Sequence, residues 1–352
     1  MNIRQNIAFV TSSDGTSIAT ASVGRGPVLV RAAHWLSHVE FDAESPVWRP
    51  WLTALSGEHR YLRYDQRGCG LSDREVADFS LEAMVGDLEA VTEGLPGPFP
   101  LIGMSQGGAV AIEFTRRNPG RVSRLVLVGA YARGSLMRPT GQGHRREAEA
   151  LLALVRLGWG RDNPAFRQVF TNQFIPGGTP EQHRWWTDLE RRTASPEVAA
   201  AILSAFYRID VTDKARALDL PVLVMHARGD ARVPFDEGRL LAALIPGARF
   251  VPLESDNHVL LDDEPAWRLF LSELWGFLGD QRESERKPLP LDDLTPTERQ
   301  VLALLLEGLD NRAIALRSGK NEKTVRNQVS AILSKTGHPT RTALIAEKYR
   351  NG

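Results

Sequence analysis

The sequence has one cysteine, Cys69, among 352 residues. A lone thiol excludes an intrachain disulfide and fits a reducing compartment. Long apolar runs are also missing, since no stretch approaches the ~18 uninterrupted apolar residues that a membrane span needs. The opening Met1-Asn2-Ile3-Arg4-Gln5-Asn6 carries one basic residue and no apolar segment, so no secretory leader is visible. These absences lead us to expect a cytoplasmic protein with no membrane partner. Net charge is zero, with 43 basic and 43 acidic residues, but the balance is uneven along the chain. From Leu289 onward ten Lys and Arg stand against seven Asp and Glu, a balance of +3 against −3 for the rest. A basic tail on an acidic body suggests a polyanion partner for the tail alone. The length favours two domains over one.

Residues 1–280 alternate short apolar runs with amphipathic stretches, the pattern of an open α/β sheet. Ile7 to Ala21 reads as a hairpin around Asp14-Gly15. Strands are expected at Val28–Val30, Arg60–Asp65, Phe99–Met104, Leu125–Gly129, Val222–Met225 and Phe250–Leu253. Helices are expected at Leu81–Glu93, Gln106–Arg117 and Pro265–Leu278. Between about Ala132 and Leu218 the alternation gives way to helical periodicity rich in aromatics, a helical insertion of roughly 85 residues. A polar segment around 281–290, ending in Pro288-Leu289-Pro290, reads as a linker. Residues 291–352 read as purely helical.

Gly103-Met104-Ser105-Gln106-Gly107 fits Gly-x-Ser-x-Gly between a strand and a helix, the setting of a nucleophile elbow. The pentapeptide alone is common; its strand–turn–helix context makes it informative. Asp230 closes a later strand, and His258 follows the last one. The chain order Ser, Asp, His at three strand ends therefore nominates Ser105, Asp230 and His258 as a catalytic set. Asp236 and Asp256 compete for the acid's role. Asp236 is assigned to a helix, and Asp256 lies too near His258 in sequence to orient it.

These residues resemble the α/β-hydrolase superfamily over about residues 1 to 280. So does Asp65-Gln66-Arg67-Gly68-Cys69-Gly70-Leu71-Ser72, which makes Cys69 a structural loop position and not a second nucleophile. The resemblance implies that the insertion at 132–218 is a lid. It also implies that Ser105 attacks a carbonyl, that His258 takes its proton and that Asp230 holds the imidazole. The oxyanion would rest on the backbone N–H groups of Gln106 and Trp35. Relatives usually place His-Gly at that second loop, where this chain has Ala33-His34-Trp35-Leu36. The change restricts the backbone, and Trp35 would narrow the cavity. His34, Trp159, Trp185 and Trp186 are taken to line an apolar ligand pocket. A serine nucleophile disfavours dehalogenase and epoxide chemistry. Esters, lactones, thioesters, peptidyl amides and carbon–carbon bonds stay open. No metal or cofactor is expected.

In the tail, Thr295-Pro296-Thr297-Glu298 is a capping box with Pro at the first helical position. A second helix runs from about Asn311 to Ser318 and ends at Gly319. A third follows Asn321 to about Thr336, with Val325, Val329, Ile332 and Leu333 forming a buried stripe. Lys323, Thr324, Arg326, Asn327 and Ser330 lie off that stripe. A basic, polar helix face after a tight turn suits a DNA major groove or, equally on periodicity, a solvated interaction module. Leu294 to Leu302, Glu307 to Ala315 and Glu322 to Gln328 resemble the LuxR-type helix-turn-helix. That resemblance implies a four-helix unit with a last helix at about Arg341 to Tyr349, contact with double-stranded DNA, and a homodimer. The whole chain is then expected to be a transcriptional regulator whose hydrolase-type domain senses a small molecule. The alternative is a working serine hydrolase with an accessory DNA-binding domain.

Overall fold

The computed structural model describes residues 3–139, 142–160, 164–283, 294–306, 309–336, 341 and 344. By compactness the chain divides into two units, Met1–Leu274 and Trp275–Gly352.

The first unit is built on eight strands: β1 Asn6–Thr11, β2 Ser17–Val23, β3 Val28–Arg31, β4 Arg60–Tyr64, β5 Phe99–Met104, β6 Val122–Val128, β7 Val222–Ala227 and β8 Arg249–Leu253. Their spatial order is β1-β2-β4-β3-β5-β6-β7-β8. The hairpin read around Asp14-Gly15 is present, with Asn6 opposite Ser22 and Thr11 opposite Ser17. From β4 across to β8 the strands are parallel. That requires covered faces and near-continuous apolar strands. The sequence of β7, Val-Leu-Val-Met-His-Ala, is buried at every position. Helices α1 Trp48–Leu55, α2 Leu81–Thr92 and α3 Gly107–Arg117 follow the early strands. Helix α1, absent from the sequence reading, buries Trp48 and Trp51. Trp51 packs 4.7 Å from Phe270, and its indole N–H donates to Leu260 O at 3.0 Å.

The insertion holds α4 Gln142–Gly158, α5 Pro164–Phe174, α6 Pro180–Thr193, α7 Pro196–Tyr207 and α8 Thr212–Arg216. Its two ends meet, since Val211 N–H donates to Ala132 O at 2.9 Å. A helical excursion that leaves and rejoins the sheet at one point is a lid. Prolines open α6 and α7 at positions where no N–H is needed, behind the caps Thr179 and Ser195. Helix α9 is Phe235–Leu244, and α10 runs Pro265–Glu283. Helix α10 therefore continues into the polar segment read as a linker; 284–290 lie outside the described residues.

The second unit contains α11 Pro296–Leu306, α12 Asn311–Ser318 and α13 Glu322–Thr336. Val301, Leu302, Leu305, Ile314, Val325 and Ile332 share one core, joined by Leu344. The capping box is present: Glu298 N–H donates to Thr295 Oγ1, and Thr295 N–H donates to Glu298 Oε2. Gly319 ends α12 in the left-handed conformation at φ 65°. The expected last helix lies outside the described residues apart from Arg341 and Leu344. No described helix is long and apolar enough to cross a membrane.

Candidate active site and DNA-reading helix

The parallel strands deliver their loops to one edge of the sheet, and the three nominated side chains arrive there on β5, β7 and β8. Ser105 has φ 51°, a left-handed value rare outside glycine. Its N–H donates to Val128 O at 3.0 Å, which ties the turn to the end of β6. Close approach explains the glycine after it: a Cβ on Gly107 would stand 2.6 Å from Ala33 O. The elbow and the Ala33 loop can therefore touch backbone to backbone. That loop carries the second strained residue, Leu36 at φ 63°.

His258 Nδ1 lies 2.7 Å from Asp230 Oδ2, both side chains being buried. Burial raises the Asp230 carboxyl, but the opposing charge and hydrogen bond of His258, with help from His226 and the Val233 amide, bring it below the ordinary carboxylate value. Asp230 is thus held as the acceptor that an imidazole Nδ1–H needs. Asp230 Oδ1 accepts from the Arg232 and Val233 amides, both at 2.8 Å. Asp236 sits in α9, as the sequence suggested. Sequence reading missed Gly129, the residue after β6, whose φ of 55° and bare Cα let the imidazole lie close. A Cβ there would be 3.1 Å from His258 Cε1 and 3.6 Å from Asp230 Oδ2. Among the described residues neither the Ser105 hydroxyl nor the Trp35 and Gln106 amides has a hydrogen-bond partner. A serine hydroxyl and two amide donors are therefore left unspent at one site.

The cavity beside Ser105 is small, about 20 Å³, space for roughly one water. Trp35 and Gln106 line it with Ser105, and Trp35 does narrow it. The other aromatics differ from expectation. His34 is buried against Trp48 at 4.7 Å, with Nδ1 2.8 Å from Trp35 O, and burial pushes its imidazole well below the ordinary value. Trp159 stacks on Trp35 at 5.3 Å and donates to Ala194 O. Trp185 stacks on Phe41, and Trp186 packs against Phe174 and Trp48. None of these four lines the cavity; His34, Trp159 and Trp186 pack behind its lining residues Trp35 and Phe174, and Trp185 packs on Phe41 away from it. The lining is instead Phe174, Phe206, Tyr131 and Tyr207, joined by Arg138 and Arg232. The pocket is more polar than the lid's aromatic count implied.

The Asp65 motif is structural. Asp65 accepts from the amides of Val39 and Leu71, and Arg67 makes a two-pronged contact with buried Asp87 at 2.7 and 2.6 Å. Cys69 is fully buried, and burial pushes its thiol far above the ordinary value, which makes it unreactive.

In the second unit Asn321 caps α13 by accepting from Thr324 N–H at 2.8 Å. Lys323, Thr324, Arg326, Asn327 and Ser330 are all exposed on it, opposite buried Val325 and Val329. Lys335 donates to both Glu298 carboxylate oxygens, at 2.9 and 2.8 Å, and so ties α13 to α11. Lys335 and the Thr295 amide hold the Glu298 carboxyl down to about 2.

Residues 41–265 match the alpha/beta hydrolase fold family. The chain belongs to that family. Residues 292–347 match bacterial regulatory proteins of the luxR family, so the hydrolase domain is followed by a LuxR-type helix-turn-helix. A non-heme chloroperoxidase of Streptomyces lividans is 29% identical over 270 residues, covering 73% of this chain and 94% of the relative. A pimeloyl-[acyl-carrier protein] methyl ester esterase of Nitrosomonas europaea is 29% identical over 250 residues, 69% of this chain and 92% of that one. An esterase structure from Rhodococcus sp. ECU1013 superposes with a TM-score of 0.62 at 27% identity, covering 79% of this chain and 99% of its own. These relatives cover the hydrolase domain of a chain that also carries a luxR-family domain.

Proposed function

We propose that this chain is a DNA-binding transcriptional regulator whose hydrolase domain binds and hydrolyses a small ester- or lactone-like ligand. One combination carries the reading: the Asp230–His258 pair and the strained Ser105 turn occur in the same chain as a helix-turn-helix with an exposed basic face. Ser105 Oγ attacks the acyl carbon while His258 takes its proton, and the Trp35 and Gln106 amides hold the developing oxyanion. Protonated His258 then gives its proton to the departing alcohol oxygen. Water, deprotonated by His258, cleaves the acyl-enzyme, releasing the acid and returning the proton to Ser105. The esterase names among the relatives support this chemistry. On the DNA, Lys323 and Arg326 neutralise phosphates, while Thr324, Asn327 and Ser330 face base edges. The reading carries with it a cytoplasmic homodimer on a two-fold symmetric site.

The decisive test is Ser105→Ala. Turnover of 4-nitrophenyl esters should fall at least a thousandfold with the thermal midpoint little changed, while ligand-dependent operator binding persists. Wild-type protein inert toward esters of every acyl length tested would remove hydrolysis from the proposal and leave a receptor. The second reading, a working hydrolase with an accessory DNA-binding domain, is favoured by the buried Asp230–His258 pair. It requires operator binding indifferent to ligand.

A further inference from the structure

The groups left unsatisfied around Ser105 have a common character. Tyr207 Oη, Gln106 Nε2 and Trp35 Nε1 are all buried with no partner among the described residues. All three residues line the cavity. Each of these atoms has hydrogen to donate. Arg232, on the loop after β7, adds a guanidinium ringed by aromatics: Trp35, Phe174 and Tyr207 centroids lie 5.9, 5.8 and 5.7 Å from its Cζ. No carboxylate pairs with Arg232 among the described residues. The nearest acid in sequence, Asp230, is committed to His258.

Charge around the cavity is lopsided in the same sense. Arg133 and Arg138 share one carboxylate, Glu237, at 2.8 and 3.7 Å, and Arg232 has none. Three guanidiniums thus meet a single local counter-ion. Burial lowers Arg138 from its ordinary value; Glu237 opposes this, and the like charge of Arg232 adds to it. Arg232 is half-buried, and the aromatic faces around it attract its charge without supplying a counter-ion. A donor-rich, cation-rich cavity fits an acceptor-rich, anionic ligand.

We infer that Arg232, with Arg138 behind it, forms an anion subsite that selects ester- or lactone-type ligands bearing a free carboxylate. The inference rests on the Ser105 reading and narrows it: apolar walls for the ligand's body, a guanidinium for its acidic end. A monoester of a dicarboxylic acid is the simplest such substrate. With one water it gives the diacid and the alcohol, the distal carboxylate staying unchanged throughout. At about 20 Å³ the cavity is too small for such a molecule, so binding displaces lid side chains.

The test compares two esters of equal chain length, 4-nitrophenyl hydrogen glutarate and 4-nitrophenyl pentanoate, on the full chain. The wild type should favour the glutarate at least tenfold in kcat/KM. In Arg232→Gln that preference should fall at least tenfold, mainly through KM, and Arg232→Lys should restore part of it. Arg228→Gln, a surface control whose partner is exposed Glu254, should keep the wild-type preference. A wild-type preference at or below one, or one unchanged in Arg232→Gln, overturns the subsite. If the wild type cleaves neither ester, the hydrolytic reading fails, and the subsite is tested by tryptophan-fluorescence titration with glutarate. Saturable binding weakened at least tenfold in Arg232→Gln supports it; no saturable binding by the wild type overturns it.

Discussion

Asp42 is buried with both carboxylate oxygens unpartnered among the described residues. Burial lifts its carboxyl from the ordinary 3.8 to about 7, against the pull of Arg63 and Arg31. Because the folded value exceeds the unfolded one, the native state binds this proton more tightly. Its contribution is present below about pH 4 and is lost as pH rises through 7, a difference on the order of 4 kcal/mol. The wild type should therefore lose stability between pH 5 and pH 8.5. Asp42→Asn should flatten that slope and melt higher than wild type at pH 8.5 in calorimetry. An equally steep decline in the variant would assign it to other groups. Gly129 offers a second check. Alanine there meets a left-handed φ costing about 1 kcal/mol and crowds the His258 ring by a few tenths of an ångström. Ester kcat should drop about tenfold in steady-state assays with KM little moved, since the imidazole and not the binding wall is displaced.

At the scale of elements, α3 and α13 were the most readable parts of the chain. Each begins at a local chemical signal, the elbow pentapeptide and the Asn321 cap, that depends on nothing distant. The α13 assignment is checked by Arg326→Ala. Operator affinity should weaken, and the slope of log K against log salt should shrink by about one unit, as measured by fluorescence anisotropy. The tie between α11 and α13 carries a pH signature of opposite sign to that of Asp42. Glu298 is held down to about 2, so its contact with Lys335 stabilises above pH 4.5 and is lost as pH falls toward 2. Lys335→Met should raise the acid midpoint of the helical unit followed by circular dichroism.

What the sequence left hidden depends on distant segments meeting. Nothing in Ala33-His34-Trp35-Leu36 marks Leu36 as left-handed, because a bulky residue adopts that conformation only when the surroundings impose it. Four aromatics read as pocket walls proved not to line the cavity, since periodicity identifies a buried face but not the neighbour it meets. Nothing local to Arg232 marks it; the fold brings it to the cavity that Ser105 lines. The placement of Ser105, Asp230 and His258 after β5, β7 and β8 was legible because strand order fixes it. Cavity lining was not, because a separate insertion supplies five of its eleven residues, Ser135, Arg138, Phe174, Phe206 and Tyr207.

For the molecule as a whole, the proposed regulation makes a quantitative demand. If ligand changes operator affinity by some factor, operator DNA must change ligand affinity by the same factor. Ser105→Ala provides the material for that measurement, because ligand then persists through a titration. Titrations in both directions should agree within error, and a factor of one in either would mean that the domains are joined but not coupled. The narrow cavity adds a temporal consequence. A ligand larger than this space for about one water enters only as often as the lid side chains move aside, whatever its outside concentration. Such a receptor averages its input over many lid openings and ignores brief pulses. Hydrolysis at Ser105 would then set how long each captured molecule is remembered.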